Sequence, residues 1–299
     1  MLTKPIDREA RIINVPGEYT TIQEALNAAE SGYTILVAPG TYKENIKWPN
    51  TNGIGLIGSG QDKTIIDGDK KERVISFGWR LDGIDHTTNI HDLSIINGRG
   101  GVYLSNSSPT FKNVTISNNT SSNNGGGILM RSSNPILENV SIYNNSSTNF
   151  GGGICMINSN PVFSEKYRCK IYSNNAMSGN DIYFDILDKR KEDSINVLSR
   201  NNIYYYSSKK YHLPLDVFTV KSPTTYHVFP LEIFSFDILS GQFQQIDADI
   251  YVSPDGDNQN SGISFNSPLQ SISCALSKIM ANNKNIIQYI LIQELTILA

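Results

Sequence analysis

The acidic residues that could do chemistry are concentrated between residues 67 and 92. The set comprises five aspartates and two arginines: Asp67, Asp69, Asp82, Asp85, Asp92, Arg80 and Arg99. Carboxylates that converge on one surface can bind calcium, and an arginine beside them can act as a base. On this basis Asp82, Asp85 and Arg80 are the catalytic candidates. The alternative is a series of solvated turns, which the Asp-Gly pairs at 67–68 and 82–83 favour because Asp-Gly is an ordinary turn signal.

A second group of oxygen-bearing side chains lies near the C-terminus. Asp255, Asp257 and Asn260 are closely spaced and are followed by Gly262, which resembles the first part of a calcium-binding loop. The distal glutamate of an EF-hand loop is missing, so a plain turn rich in Asp and Asn is the alternative. Calcium is therefore the one cofactor that the sequence suggests, with Asp255 and Asp257 as ligands. The four histidines show no metal-ligand spacing.

The composition restricts both the fold and the partners. Only 18% of the residues are charged, against an ordinary share of about 25%. The polarity comes instead from Asn and Ser, and together with 23 glycines these poor helix formers predict many short strands and turns. A net charge of -3 gives no basic field that would attract nucleic acid. No stretch approaches the roughly 18 apolar residues that a transmembrane helix needs, so we expect neither a nucleic-acid partner nor a transmembrane segment.

An internal repeat of 26 residues is the clearest pattern in the chain. Residues 112–137 read KNVTISNNTSSNNGGGILMRSSNPIL, and residues 138–163 read ENVSIYNNSSTNFGGGICMINSNPVF. A shorter copy precedes them at 91–111, and a looser copy follows at 167–184. Within each copy the apolar residues alternate with polar ones, as Val114 and Ile116 do. This period of two predicts three short strands per copy, which is one coil of a parallel β-solenoid.

Equivalent residues of successive copies should stack on one another. The expected inward ladders are Val140 over Val114, Ile142 over Ile116, and Phe163 over Leu137 over Phe111. The asparagine pairs 118–119, 144–145 and 174–175 should form a polar ladder at one corner. The alternative role for asparagine is glycosylation, since Asn113, Asn118 and Asn139 each begin an N-x-S/T triplet.

The register also predicts where two of the three cysteines point. Cys169 takes an inward position, whereas Cys155 takes an outward one. Their side chains therefore should lie on opposite sides of the coil wall, and we expect no disulfide between them.

Residues 19–32, YTTIQEALNAAESG, predict the one clear helix of the first half. Thr20 or Thr21 can cap its start, and Gly32 can end it. Its apolar stripe consists of Ile22, Ala25, Leu26 and Ala29. A helix at this point would shield the open end of the first coil from solvent and from pairing with other strands.

Four parts of the chain resemble known proteins. Residues 15–46 resemble the opening of pectate-lyase-like right-handed parallel β-helix proteins, and residues 55–68 resemble their next coil. The segment WRLDGIDH at 79–86 is faintly similar to the Trp-Asp-His element of pectate lyases. The GGGI repeats are similar to those of bacterial surface β-helices, including polymorphic outer-membrane proteins. The resemblance covers residues 12–190 and implies an all-β, right-handed parallel β-helix with an N-terminal capping helix, in a protein that is extracellular or on the cell surface.

The resemblance and the repeat together predict three regions. Residues 12–190 form the β-helix, residues 191–249 form an irregular capping or linker region, and residues 250–299 form the truncated start of a second β-helix module. Residues 268–279, PLQSISCALSKI, match the first helix at an offset of 250 residues. The apolar stripe of this second helix has little of its own module to cover. We therefore expect residues 250–299 to dock on residues 190–250 or to mediate self-association. The N-terminal residues are charged and lack the apolar run of a signal peptide.

Three functions fit this reading of the sequence. The chain could be a non-catalytic secreted or cell-surface module that binds polysaccharide or other surface partners, or an inert fragment of a larger surface protein. The third is a carbohydrate-active enzyme of the pectate lyase or pectin esterase type, acting on acidic polysaccharide. The outward positions of the best repeats carry no acid, base or metal ligand, which favours the first two. Acids stacked on one face would favour the enzyme, and a deep groove lined with exposed aromatic rings would favour the binding module.

Overall fold

The computed structural model describes residues 11–78, 83–177, 179–185, 197–199, 202–204, 211–219, 226–227, 234–242, 249–257, 260 and 262–270. The chain divides into two compact units, Met1–Phe243 and Gln244–Ala299. All the strands and the single helix of the described residues lie in the first unit. No helix among the described residues is long and apolar enough to cross a membrane.

The first unit is a stack of six coils whose strands follow one another in chain order. It opens with β1 (Ile12–Val15) and α1 (Ile22–Ala28). Coil 1 consists of β2 (Thr34–Val37), β3 (Gly40–Lys43) and β4 (Ile46–Lys47), and coil 2 of β5 (Gly55–Ile57), β6 (Thr64–Asp67) and β7 (Ile75–Phe77). Coil 3 consists of β8 (Asn89–Ile96) and β9 (Val102–Ser105), and coil 4 of β10 (Thr110–Ser117), β11 (Thr120–Ser121) and β12 (Ile128–Arg131). Coil 5 consists of β13 (Ile136–Glu138), β14 (Ser141–Tyr143), β15 (Ser146–Ser147) and β16 (Ile154–Ile157), and coil 6 of β17 (Val162–Phe163), β18 (Cys169–Tyr172) and β19 (Ile182–Asp185).

Strand pairing continues after coil 6. The remaining strands are β20 (Val197–Ser199), β21 (Asn202–Tyr204), β22 (Tyr211–Thr219), β23 (Tyr226–His227) and β24 (Phe234–Gln242). Strand β22 pairs in parallel with β18 and with β24, and β23 pairs in parallel with β19. Strands β20 and β21 form an antiparallel hairpin.

Each coil contributes to three faces. Face A contains β1, β2, β5, the first halves of β8 and β10, β13 and β17. Face B contains β3, β6, the second halves of β8 and β10, β14 and β18. Face C contains β4, β7, β9, β12, β16 and β19. All of these pairings are parallel, so the predicted parallel β-helix is confirmed. The right hand that the resemblance implies is the one that parallel crossover connections adopt almost without exception.

The inward ladders fall where the 26-residue repeat predicts them. Ile116 pairs with Ile142, and Leu137 pairs with both Phe111 and Phe163. These five side chains belong to one continuous buried core. An additional short strand in coils 4 and 5 was not predicted: β11 pairs in parallel with β15 because the Thr and Ser residues after the asparagine pair also stack from coil to coil.

The N-terminal helix is shorter than the sequence predicts. It has seven residues and ends at Ala28, since Ala29 has extended backbone and closes the helix with a hydrogen bond to the carbonyl of Leu26. Thr21 is the N-cap and forms a capping box with Glu24. The carboxylate of Glu44 accepts hydrogen bonds at 2.9 Å from the backbone of Ile22 and Gln23, which fastens the helix to coil 1.

Buried asparagines form a ladder at the corner between faces B and C. The side-chain oxygen of Asn145 accepts hydrogen bonds from the backbone N–H and the side-chain Nδ2 of Asn119, at 3.1 and 3.0 Å. Asn145 donates in the same two ways to Asn174, at 3.0 Å each. Asn174 then donates to a carboxylate oxygen of Asp181, at 3.0 and 2.8 Å. The predicted ladder is confirmed, and it ends on an acidic residue.

The third asparagine pair is shifted by one residue relative to the other two. Asn118 and Asn144 have left-handed backbone, and the residue after each enters the ladder. In coil 6 it is Ser173 that takes the left-handed conformation, with φ of 55°. The ladder position therefore belongs to Asn174, the first residue of its pair and not the second.

Candidate functional site

The acidic residues of the 67–92 segment lie at three different corners of the coil. Asp67 ends β6, and with Asp69 it lies at the corner between faces B and C. Asp85 precedes β8, at the corner between faces C and A. Asp92 lies where β8 bends from face A to face B, with φ of 58°. Asp82 and Arg80 are outside the described residues.

At two of these corners the carboxylate interacts with a residue that is two positions later in the chain. Asp69 lies 2.9 Å from the ammonium of Lys71, and hydrogen bonding to that lysine lowers the pKa of Asp69. Asp85 accepts hydrogen bonds from the hydroxyl and backbone N–H of Thr87, at 2.6 and 2.9 Å, which lower the pKa of Asp85. These two arrangements are those of solvated turns.

Asp92 belongs to a hydrogen-bonded row along the corner between faces A and B. One carboxylate oxygen lies 2.7 Å from Nδ1 of His91, and the other accepts a hydrogen bond from Asn113 at 2.9 Å. The amide of Asn139 donates to Asn113, also at 2.9 Å. Burial opposes ionisation of Asp92, but these hydrogen bonds and the nearby positive charges outweigh it, so its pKa is lowered. These hydrogen bonds connect the side chains of His91, Asp92, Asn113 and Asn139 to one another across adjacent coils.

Arg99, the other candidate base, lies at the corner between faces B and C. Its Nε donates a hydrogen bond at 3.0 Å to the backbone carbonyl of Lys70. Within the described residues, no group of three or more His, Cys, Asp or Glu side chains is placed to hold a metal ion. Asp67 and Asp69 share this corner with Arg99, whereas Asp85 and Asp92 lie at the other two corners.

The candidate calcium loop is an exposed turn of the second unit. The backbone N–H of Asp255 donates to the hydroxyl of Ser253 at 3.3 Å, and the side-chain amide nitrogen of Asn260 donates to the carbonyl of Pro268 at 2.9 Å. The side chains of Asp255 and Asp257 are exposed. Calcium binding by these two residues stays a prediction. So does self-association through residues 250–299, because residues 271–299 lie outside the described part of the chain.

The outer surface of face B carries an aromatic pair that the sequence analysis did not single out. The rings of Tyr143 and Tyr172 stack with centroids 5.1 Å apart and planes 10° apart. Each tyrosine directly follows an inward isoleucine, and this alternation is the signal that could have identified both as outward residues. Burial raises the pKa of Tyr172, and the proximity of Tyr143 raises it further, so its hydroxyl is neutral at physiological pH.

A polar row runs beside this aromatic pair. Strand pairing places Thr115, Ser141 and Lys170 at equivalent positions of coils 4, 5 and 6. All three side chains are half-buried, as are those of Tyr143 and Tyr172. No carboxylate occupies an outward position of these three strands. Among the described residues Lys170 forms no ion pair, so its ammonium is available to a ligand.

The outer surface of face C is covered. Leu129 and Cys155 take outward positions on β12 and β16, as predicted, yet they are 7% and 0% exposed. The chain folds back over them at Gly125 and Gly151, where φ is 65° in both cases. Cys155 and Cys169 are both buried and form no disulfide with each other, as predicted. Cys274 lies outside the described residues.

Comparison with known proteins gives a family match and several matches to distant structures, among them two pectin methylesterases. The pattern of the Chlamydia polymorphic membrane protein repeat matches residues 113–130 and 139–156, which lie in coils 4 and 5. A mutant of pectin methylesterase in complex with a hexasaccharide is 10% identical, with 90% of this chain and 94% of that chain covered and a TM-score of 0.35. Pectin methylesterase from carrot is 12% identical, with 80% and 84% covered and the same TM-score of 0.35. No curated protein sequence matches the chain.

Proposed function

We propose that this chain is a non-catalytic β-helix module, secreted or on the cell surface, that binds polysaccharide. The binding surface is the outer side of face B in coils 4 to 6. There the stacked rings of Tyr143 and Tyr172 lie beside the hydroxyl and ammonium groups of Ser141 and Lys170. This combination is the single observation that carries the proposal.

The chemistry of that surface suits a sugar chain. Aromatic rings offer apolar contact to the C–H groups of a sugar, and neutral hydroxyls exchange hydrogen bonds with its hydroxyl groups. Because the two rings stack along the coil axis, they present their edges and phenol oxygens outward over two adjacent coils. A flat strip of this kind suits an extended polymer better than a small molecule, which needs a concave site.

The repeat match supports a place at the cell surface. The matched repeat is named for a membrane protein of Chlamydia, and its residues include β14 and the half of β10 that pairs with it, both of which belong to the proposed surface. At the cell surface, the partner that we propose for this chain is a polysaccharide.

Truncating the aromatic pair should weaken polysaccharide binding. We expect Tyr172→Ala to raise the dissociation constant roughly threefold to tenfold, because an aromatic contact of this kind contributes about 0.5–1.5 kcal/mol. Affinity electrophoresis in gels containing pectate, xylan or mixed-linkage β-glucan measures the change. Tyr251→Ala is the matched control, since Tyr251 is an exposed tyrosine of the second unit. If no polysaccharide retards the wild-type chain, or if both variants bind equally well, the proposal is wrong.

The alternative function is a carbohydrate-active enzyme of the pectate lyase or pectin esterase type. The separation of Asp69, Asp85 and Asp92 onto three corners weighs against it. We expect the purified chain to release neither unsaturated uronides nor methanol from pectate or pectin, as measured by ultraviolet absorbance and methanol assay. Product release that disappears in Asp82→Ala or Asp85→Ala would instead establish the enzyme.

A further inference from the structure

A loop from coil 2 lies on the outer surface of face B. It consists of residues 59–63, between β5 and β6. The backbone carbonyl of Gln61 accepts a hydrogen bond from the hydroxyl of Ser94 in coil 3. The side-chain Oε1 of Gln61 accepts another, at 3.4 Å, from the hydroxyl of Thr115 in coil 4. The 59–63 loop therefore contacts the two coils that precede the stacked tyrosines.

Two outward serines at this end of face B are covered. Ser94 lies at the position of coil 3 that pairs with Thr115, and it is 7% exposed. Ser117, the outward residue of coil 4 that pairs with Tyr143, is 3% exposed. The outward side chains of coils 5 and 6 on this face are half-buried. The surface proposed to bind polysaccharide is thus open over coils 5 and 6 and closes toward coil 3.

Gln61 places an amide donor at the closed end of this surface. Because its Oε1 accepts the hydrogen bond from Thr115, its Nε2 is left as a donor, and this nitrogen donates no hydrogen bond among the described residues. Ser141 and Lys170 follow Thr115 at equivalent positions of the next two coils. Adjacent strands are about 4.8 Å apart, so this row extends for about 10 Å, which is room for roughly two or three sugar rings.

We propose that this surface binds the end of a polysaccharide chain, with the terminal sugar against Gln61 and the rest of the chain running along the coil axis over coils 5 and 6. This proposal rests on the polysaccharide-binding function above and specifies which part of the polymer is bound. A sugar chain that continued toward coil 3 would collide with the 59–63 loop. The amide Nε2 of Gln61 donates a hydrogen bond to a hydroxyl group of the terminal sugar.

Calorimetric titration of the full wild-type chain with sugar chains of increasing length tests this proposal. The titrants are the polysaccharide among pectate, xylan and mixed-linkage β-glucan that retards the chain in affinity electrophoresis, and the defined oligosaccharides of that polysaccharide. We expect one protein molecule per sugar chain at every length. We also expect the same dissociation constant per mole of sugar chain from the tetrasaccharide upward.

Binding along the interior of the polymer would give a different result. Several protein molecules would then bind each long chain, and the dissociation constant per mole of sugar chain would fall as the chain lengthens. That outcome overturns end binding and leaves the polysaccharide-binding function standing. If none of the three polysaccharides binds, both proposals are wrong.

Variants of the 59–63 loop test the contact with Gln61. We expect Gln61→Ala to raise the dissociation constant for the tetrasaccharide roughly threefold to tenfold, the effect of losing one hydrogen bond. Asp62→Asn is the matched control, since Asp62 is an exposed residue of the same loop, and this variant should bind no more weakly than wild type. Equal affinities of the two variants would overturn the placement of the terminal sugar at Gln61. The stoichiometry is measured on the wild-type chain, so it does not depend on the folding of either variant.

Discussion

Replacing Asn145 by Ala is expected to lower the free energy of unfolding by roughly 3–5 kcal/mol, because it leaves several buried polar groups unsatisfied at about 1–3 kcal/mol each. Asn119 loses the acceptor of both its backbone and its side-chain donor. The carbonyl of Ile116 loses the donor that now lies 2.9 Å away. Asn174 loses one of the two donors to its side-chain oxygen. The site is 1% exposed, so water cannot replace these partners without opening the coil.

Chemical denaturation followed by circular dichroism measures this loss. Asn149→Ala is the control, since Asn149 belongs to the same coil and its half-buried side chain donates a single hydrogen bond, to Asn123 at 3.0 Å. That variant should remain within about 0.5 kcal/mol of wild type, as surface substitutions usually do. Equal effects of the two variants would mean that the buried ladder adds nothing beyond a surface contact.

The sequence alone could predict the coil and its ladders because both depend on local periodicity. A 26-residue repeat with period-two apolar residues leaves little choice of architecture, and Ile116 pairs with Ile142 as the spacing requires. The sequence spacing could not predict that Asn174, and not Asn175, takes the ladder position next to Asn145. Coil 6 departs from the 26-residue spacing, so the side chain that completes the ladder depends on which residue adopts left-handed backbone, and here that residue is serine.

The outer surfaces were harder to predict than the core. Alternation correctly assigns Leu129 and Cys155 to outward positions, but it contains no information on what the connecting loops cover. The hydrogen bond between Arg73 and Asn124 joins residues that are 51 apart in sequence. No local sequence pattern predicts such a contact. The aspartates illustrate the converse: Asp69, Asp85 and Asp92 are close in sequence, on one coil and the start of the next, yet the coil distributes them to separate corners.

The glycine triplets should be as sensitive to substitution as the asparagine ladder, for a steric reason. Gly101, Gly127 and Gly153 occupy equivalent positions of coils 3, 4 and 5, and each backbone approaches a carbonyl of the next coil. A Cβ on Gly127 would lie 2.6 Å from the carbonyl oxygen of Gly153 and 2.9 Å from a methyl carbon of Ile142. That oxygen accepts the strand hydrogen bond of Ile128 at 2.8 Å. It cannot move aside without breaking the pairing of face C.

We therefore expect Gly127→Ala to lower the free energy of unfolding by roughly 3 kcal/mol, at the upper end of the range for overpacked sites. Denaturant titration of purified chain gives the value, and limited proteolysis should show earlier cleavage near coils 4 and 5. Gly78→Ala is the matched control, because a Cβ on Gly78 would meet nothing within 4 Å. A stable Gly127→Ala variant would mean that adjacent coils can separate at this corner, and the close backbone approach would then not be what requires glycine in the repeat.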